Sequence, residues 1–176
     1  MRIIGGSLRG RSIYPSDLYA RPTTDFAKEG LFNVLANEYD FEALHVLDLF
    51  GGSGGISFEF ASRGCPDVTC VEKNQRNATF IIKSAEQFHL NGAIRVVRHN
   101  VFDFLDLCTL TYDVIFADPP YDLQGVDTLP TRIIEKQLLA PNGTFILEHS
   151  GALDFSNADR VVKVKRYGNV HFSFFK

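Results

Sequence analysis

The residues best suited to chemistry stand together at Asp118-Pro119-Pro120-Tyr121, directly after an apolar run at 112–117. Successive prolines hold φ near −65° and remove two N–H donors, so the carbonyls of this turn are rigidly aimed and cannot join a sheet ladder. The turn is an acceptor surface. The Asp118 carboxylate and the Pro119 carbonyl together suit a ligand that offers two hydrogens from one planar amino group. An exocyclic amine on a base is a poor nucleophile because its lone pair is delocalised into the ring. Two fixed acceptors can hold both hydrogens and turn that lone pair outward, toward an electrophile. Tyr121 offers a face on which an extruded or single-stranded base can stack. Once alkylated, such a nitrogen is acidic, so no strong general base is needed.

A second constellation lies upstream, where Val46-Leu47-Asp48-Leu49-Phe50 runs into Gly51-Gly52-Ser53-Gly54-Gly55. A buried strand followed by small residues and a helix brings backbone N–H groups close to a ligand. Counting from Gly52, the third glycine of a dinucleotide fingerprint is replaced by Ser57, which weakens a pyrophosphate reading. Asp48 weakens it further, since a carboxylate at the strand end repels phosphate and attracts a cation. An amino acid bearing an ammonium and a sulfonium fits better. Glu72, 24 positions after Asp48 and followed by Lys73, stands near the offset at which an acid grips ribose hydroxyls. Asn100 can meet an adenine edge while the N–H of Val101 binds the ring. Three strand ends then converge on one nucleoside.

The elements that must position these residues are short apolar runs alternating with helical periods, the pattern of a parallel sheet covered on both faces. Strands are expected at 45–50, 68–72, 94–98, 112–117 and 144–148, with helices at 55–63, 74–90 and 129–139. Asn74 is the expected cap of the second helix, and Pro141-Asn142-Gly143 reads as a turn before the fifth strand. Residues 160–166 and 170–175, joined by Tyr167-Gly168-Asn169, form a closing hairpin, which makes seven strands in a mostly parallel sheet with an antiparallel end. At the other end, 2–4 and 11–14 flank a glycine-rich turn, and 25–35 is a helix with Phe26, Leu31, Phe32 and Leu35 inward. These give an appendage at 1–40 attached to a single α/β domain at 41–176.

Composition sets the outer limits. The 176 residues are 45% hydrophobic, enough for one sizeable core, and contain no apolar run long enough to span a bilayer. A cytoplasmic, soluble, monomeric protein with no membrane association is expected. Cys65, Cys70 and Cys108 lack the paired spacing of zinc ligands and read as reduced, partly buried fillers, and the five scattered histidines read as packing or surface residues; no metal is expected. His149 alone stands where it could reach the edge of the site. Net charge is −3, but residues 1–30 carry +2 and 160–176 carry +5, leaving −10 for the residues between. An acidic ligand-binding core flanked by basic termini suits a phosphate-bearing partner.

With both motifs in view, the chain resembles the RsmD family of bacterial 16S rRNA guanine-N2 methyltransferases over nearly its whole length. Arg2-Ile3-Ile4-Gly5-Gly6 through Arg11, Arg21-Pro22-Thr23-Thr24, Glu29 to Asn33, Val46 to Gly54, Val71-Glu72-Lys73, Ile115 to Tyr121, Glu148-His149 and Tyr167-Gly168 carry the likeness. The resemblance implies a Rossmann-like class I fold that uses S-adenosylmethionine. It places the methionine end of the cofactor at Asp48, Phe50 and Gly51-Gly52-Ser53-Gly54, its ribose at Glu72 and Lys73, its adenine at Asn100 and Val101, and the target base at Asp118 to Tyr121. It further implies ribosomal RNA or the small subunit as partner, with Arg9, Arg11, Arg21, Thr23, Lys165 and Arg166 as substrate contacts. Gly52 stands where alanine is more usual, and Asn100 where an aspartate is common. Two other readings stay open: a DNA adenine-N6 or cytosine-N4 methyltransferase, which shares the tetrapeptide, and a non-catalytic RNA-binding module.

Overall fold

A computed structural model describes residues 1–13 and 23–176. The apolar runs become β1 (His45–Asp48), β2 (Asp67–Val71), β3 (Ile94–Val97), β4 (Tyr112–Ala117) and β5 (Leu139–His149), and the basic end becomes β6 (Val161–Tyr167) and β7 (Val170–Phe175). They form one sheet in the order β3-β2-β1-β4-β5-β7-β6, in which only β7 pairs antiparallel, with β5 and β6. Val46, Val114 and Phe116 face one apolar core while Leu47, Leu49 and Ile115 face another, so the central strands have to be apolar on both sides. Helices α1 (Asp25–Ala36), α2 (Gly55–Ser62) and α3 (Gln75–Gln87) cover the first core. The second is closed by α4 (Val101–Leu107) and α5 (Leu129–Glu135). After β3 the chain crosses back to lay β4 against β1, so strand order reverses between them. The crevice outside their carboxyl ends is where ligands bind in such sheets.

The N-terminal segment is a hairpin closed by an antiparallel bridge between Arg2 and Ser12. Its turn docks on the end of α2: the Ser7 N–H donates to the Ser62 carbonyl at 2.7 Å. Gly6 has φ +73°, and a Cβ there would collide with that same carbonyl, so the docking requires glycine. Ile3, Ile13 and the inner face of α1 share the first core with α2 and α3.

Four expectations need correction. Phe26 is not inward but 66% exposed; Ala27, Lys28, Leu31, Phe32 and Leu35 make the buried face of α1. Residues 101–107 form α4, which the periodicity did not announce. The Pro141-Asn142-Gly143 sequence does not separate α5 from β5 but lies inside β5, absorbed as an irregularity where pairing jumps from Tyr112↔Leu139 to Val114↔Thr144. Asn142 takes φ +65° to make that bulge. Finally α5 stops at Glu135 rather than continuing to 139, with Gln137 at φ +56° turning the chain out.

Candidate active site

The carboxyl ends of β1 to β5 open into a cleft of about 680 Å³, a size suited to a nucleoside-sized ligand together with the edge of a second one. Its floor is acidic, because Asp48, Glu72, Asp118 and Glu148 all line it. Asp48 ends β1 and is buried. The Ser57 hydroxyl, one turn into α2, donates to its Oδ2 at 2.6 Å, while Oδ1 is buried with no hydrogen-bond partner among the described residues. Burial, reinforced by the nearby Glu72 charge, pushes the Asp48 carboxyl up to about 6. A buried carboxylate oxygen left unpartnered is costly unless a donor arrives. Lining the cleft, it suits a ligand ammonium and would repel a phosphate.

Glu72 follows β2 and is held by two backbone donors. Its Oε2 accepts the Gly52 N–H and its Oε1 the Asn74 N–H, each at 2.7 Å. The carboxylate thus ties the glycine turn to the start of α3, which Asn74 caps by accepting from Arg76 and Asn77. Each oxygen keeps a second acceptor site, enough to receive a diol from the cleft. The turn needs its glycines for two reasons. A Cβ on Gly51 would stand 2.5 Å from the Cys70 Sγ, and Gly54 has φ +81° with the Phe58 ring 2.7 Å from where its Cβ would be. Phe50, Gly51, Gly52 and Ser53 line the cleft, as does Lys73. Gly54 does not; it shapes the turn from behind.

Asn100 lines the cleft but is first of all the cap of α4: its Oδ1 accepts the Phe102 N–H at 2.9 Å. The backbone of Val101 opens that helix beside it, and Phe102 adds an apolar wall. An amide there keeps its N–H donors for a ligand while its carbonyl holds the helix.

Asp118 steps out of β4 beside Glu148. The last paired residues of the two parallel strands are Ala117 and Leu147, which sends these carboxyls to the same edge in register. Burial, then the charges of Glu148 and Asp48, hold the Asp118 carboxyl well above the usual carboxylate range. Pro119 is buried, Pro120 is exposed with its carbonyl accepting the Leu123 N–H at 3.0 Å, and Tyr121 stands 60% exposed at the rim. All four motif residues line the cleft.

The residues expected to contact substrate from the two ends of the chain are mostly peripheral to the cleft. Thr23 is the exception: it lines the cleft, with its hydroxyl donating to Glu148 Oε2 at 2.9 Å. Arg9 and Arg11 are exposed on the N-terminal hairpin and Lys165 and Arg166 on β6; none of the four lines the cleft. Arg21 lies outside the described residues. His149 does not reach the cleft either. Its ring is buried, bonded through Nε2 to the Ser173 hydroxyl and through Nδ1 to the Ser150 carbonyl, both at 2.8 Å.

Glu148 and Lys28 are site residues that the pattern alone did not assign. Glu148 could have been found as the acid closing a fifth strand. Lys28 carried no signal, because a lysine in an amphipathic helix is ordinarily solvated. Here it is 2% exposed, with its ammonium donating to the Arg2 carbonyl and 3.8 Å from Glu59. Burial lowers its proton affinity, against the opposing pull of Glu59 and Asp25. It fastens the N-terminal hairpin to the cleft wall.

An α/β/α sheet of this order, with an acidic cleft at its switch point and an Asp-Pro-Pro-Tyr turn on β4, has the Rossmann-like methyltransferase fold. The family described as Conserved hypothetical protein 95 matches residues 1–176, and the chain belongs to it, the RsmD family. Ribosomal RNA small subunit methyltransferase D of Haemophilus influenzae is 32% identical over 152 residues, covering 84% of this chain and 78% of that protein. Its namesake in Escherichia coli K12 is 36% identical over 122 residues, 69% of this chain and 60% of that one. Among solved structures, a hypothetical protein of Thermus thermophilus superposes with a TM-score of 0.87 at 25% identity, covering 100% of this chain and 99% of that one. A T. thermophilus 16S rRNA N2 G1207 methyltransferase, solved with AdoMet and guanosine, shares the fold at a TM-score of 0.71 and 20% identity, covering 100% of this chain and 49% of that one.

Proposed function

We propose that this chain transfers a methyl group from S-adenosylmethionine to the exocyclic N2 amine of a guanine in 16S ribosomal RNA. The observation that carries the reading is the pairing, in one cleft, of the unpartnered Asp48 oxygen on β1 with the Asp118-Pro119-Pro120-Tyr121 turn on β4. The relatives named as small-subunit rRNA methyltransferases support the choice of substrate.

The cofactor, when bound, supplies an electrophilic methyl on a sulfonium. Asp48 would receive its ammonium, Glu72 its ribose hydroxyls, and Asn100 with the Val101 N–H its adenine; Phe50, Gly51, Gly52, Ser53 and Lys73 would close around it, with Gly54 setting their turn. Asp118 and the Pro119 carbonyl hold the two hydrogens of the guanine amine, and Tyr121 stacks on the ring. Burial, with the neighbouring carboxylate charges, raises the proton affinity of Asp48 and Asp118, so a positive charge in the cleft favours their ionised, accepting forms. The lone pair of the amine is turned outward, toward the electrophile, and Asp118, already disposed to hold a proton, can take the one released after alkylation. Thr23, through Glu148, orients that end of the cleft, while Arg9, Arg11, Arg21, Lys165 and Arg166 meet the RNA phosphates.

The test compares tritiated methyl incorporation into 16S rRNA, small-subunit particles and duplex DNA. Label in either RNA substrate and none in DNA is expected; label in DNA alone would replace this reading with a DNA amino-methyltransferase, and none anywhere with a binding module.

A further inference from the structure

Among the described phenylalanines and tyrosines, only two rings are strongly exposed, Phe26 at 66% and Tyr121 at 60%. Only Tyr121 lines the cleft; Phe26 stands just outside it, directly following Thr24 and Asp25, which line the cleft from the other side. Scattered exposed apolar residues are ordinary on a protein surface, but an exposed aromatic directly beside the lining of a binding cleft is a candidate contact.

Phe26 is also held in a fixed orientation. Thr24 caps α1 by accepting the Ala27 N–H, so the ring stands on the first, secured turn of the helix. The Tyr167 ring packs edge-on against it, with centroids 5.6 Å apart and planes at 79°. Tyr167 then runs along α1 to Gly30, where an added Cβ would fall 2.1 Å from its ring. Gly30 therefore serves this contact, since a glycine inside a helix otherwise costs about 1 kcal/mol. The same hairpin places Asn169 and Val170 in the cleft wall, and the two residues before Tyr167 are the exposed cations Lys165 and Arg166. Lys163, by contrast, is engaged with Glu38 at 2.8 Å, and Asp25 lies 3.9 Å from Lys28.

The geometry points to Phe26, braced by Tyr167, as a stacking platform for an unpaired base flanking the target nucleotide in single-stranded RNA, with Lys165, on the same face of β6 as Tyr167, meeting its phosphates. The inference rests on the RNA-methyltransferase reading above. An aromatic face and adjacent cations are the combination by which single strands are gripped without regard to sequence.

The chain contains no tryptophan, so Phe26→Trp introduces a single indole at the platform, which can be excited selectively over the tyrosines. With a guanine-containing single-stranded RNA of about a dozen nucleotides as probe, its fluorescence should be quenched on binding. Phe26→Ala should raise the Kd for the same RNA about ten- to hundredfold, while cofactor affinity stays at the wild-type value and melting temperature falls by no more than a few degrees. Wild-type RNA affinity in Phe26→Ala, or Phe26→Trp emission indifferent to saturating RNA, would overturn the platform while leaving the methyltransferase reading intact. Failure of the wild type to bind or methylate any RNA would overturn both. A change from dimer to monomer in Phe26→Ala with RNA binding unaltered would assign the ring to a second copy of the chain instead.

Discussion

The floor and the rim of the cleft are built on opposite plans. The floor is a set of carboxylates at the ends of adjacent parallel strands, three of them fixed by backbone or hydroxyl donors: Ser57 on Asp48, the Gly52 and Asn74 N–H groups on Glu72, Thr23 on Glu148. The rim is gathered mainly from both ends of the chain, from the N-terminal hairpin, α1 and the β6–β7 hairpin, with Tyr121 added from the turn after β4; just beyond the cleft lining stand Phe26 and the exposed cations Arg9, Arg11, Lys165 and Arg166. An acidic, desolvated floor selects a small cation, whereas a basic, solvated rim selects a polyanion. The net charge of −3 hides both, because it averages over two surfaces of opposite sign.

That contrast is breakable. The largest effect is expected at Asp118: replacement by alanine should lower single-turnover methyl transfer about thousandfold, with the cofactor Kd from titration calorimetry nearly unchanged. Equal losses in transfer and cofactor binding would show that β4 and β1 serve one ligand rather than two. Asp48→Asn comes next, with cofactor affinity down about ten- to hundredfold. The wild-type affinity should fall about tenfold per pH unit below about pH 6, as Asp48 takes up a proton, and the variant should lose that dependence. In the free protein the sign is reversed. The folded-state value lies above the ordinary 3.8, so the destabilisation from this group is complete above about pH 6 and relieved as pH falls toward 4.

Gly51→Ala probes the floor sterically. Its Cβ would meet the Cys70 Sγ at 2.5 Å and the Ile81 Cδ1 at 3.2 Å, in a core with no room to give. A loss of about 1–3 kcal/mol in denaturant unfolding is expected, together with weakened cofactor binding. The smallest effect belongs to the rim: Lys165→Ala with Arg166→Ala should weaken RNA binding several-fold and flatten its dependence on log salt by about 1–2. Any change in cofactor affinity from that pair would blur the division between the two surfaces.

The floor was the more legible region, for a physical reason. Short apolar runs mark strands, and in a doubly wound sheet the residue after each strand is delivered to a common edge, so Asp48, Glu72, Asn100 and Asp118 could be grouped from spacing alone. What spacing hides is what tertiary pairing decides. Asn100 carries the same amide whether it caps a helix or faces a base, and the short α4 behind it offers too few turns for a periodic signal. Glu148 acquires meaning only from the β4–β5 register. Phe26 breaks the rule that apolar residues on an amphipathic helix turn inward, because Ala27, Lys28 and Leu31 already fill the buried stripe. Arg9, Arg11, Lys165 and Arg166 are merely exposed, and exposure does not by itself name a partner.

The most direct test of the central claim is mass mapping of modified nucleosides in 16S rRNA after incubation with the purified protein and isotopically labelled S-adenosylmethionine. Label confined to a single N2-methylguanosine is the expected result. Label on an adenine or cytosine amine, or on no ribosomal nucleotide at all, would contradict it.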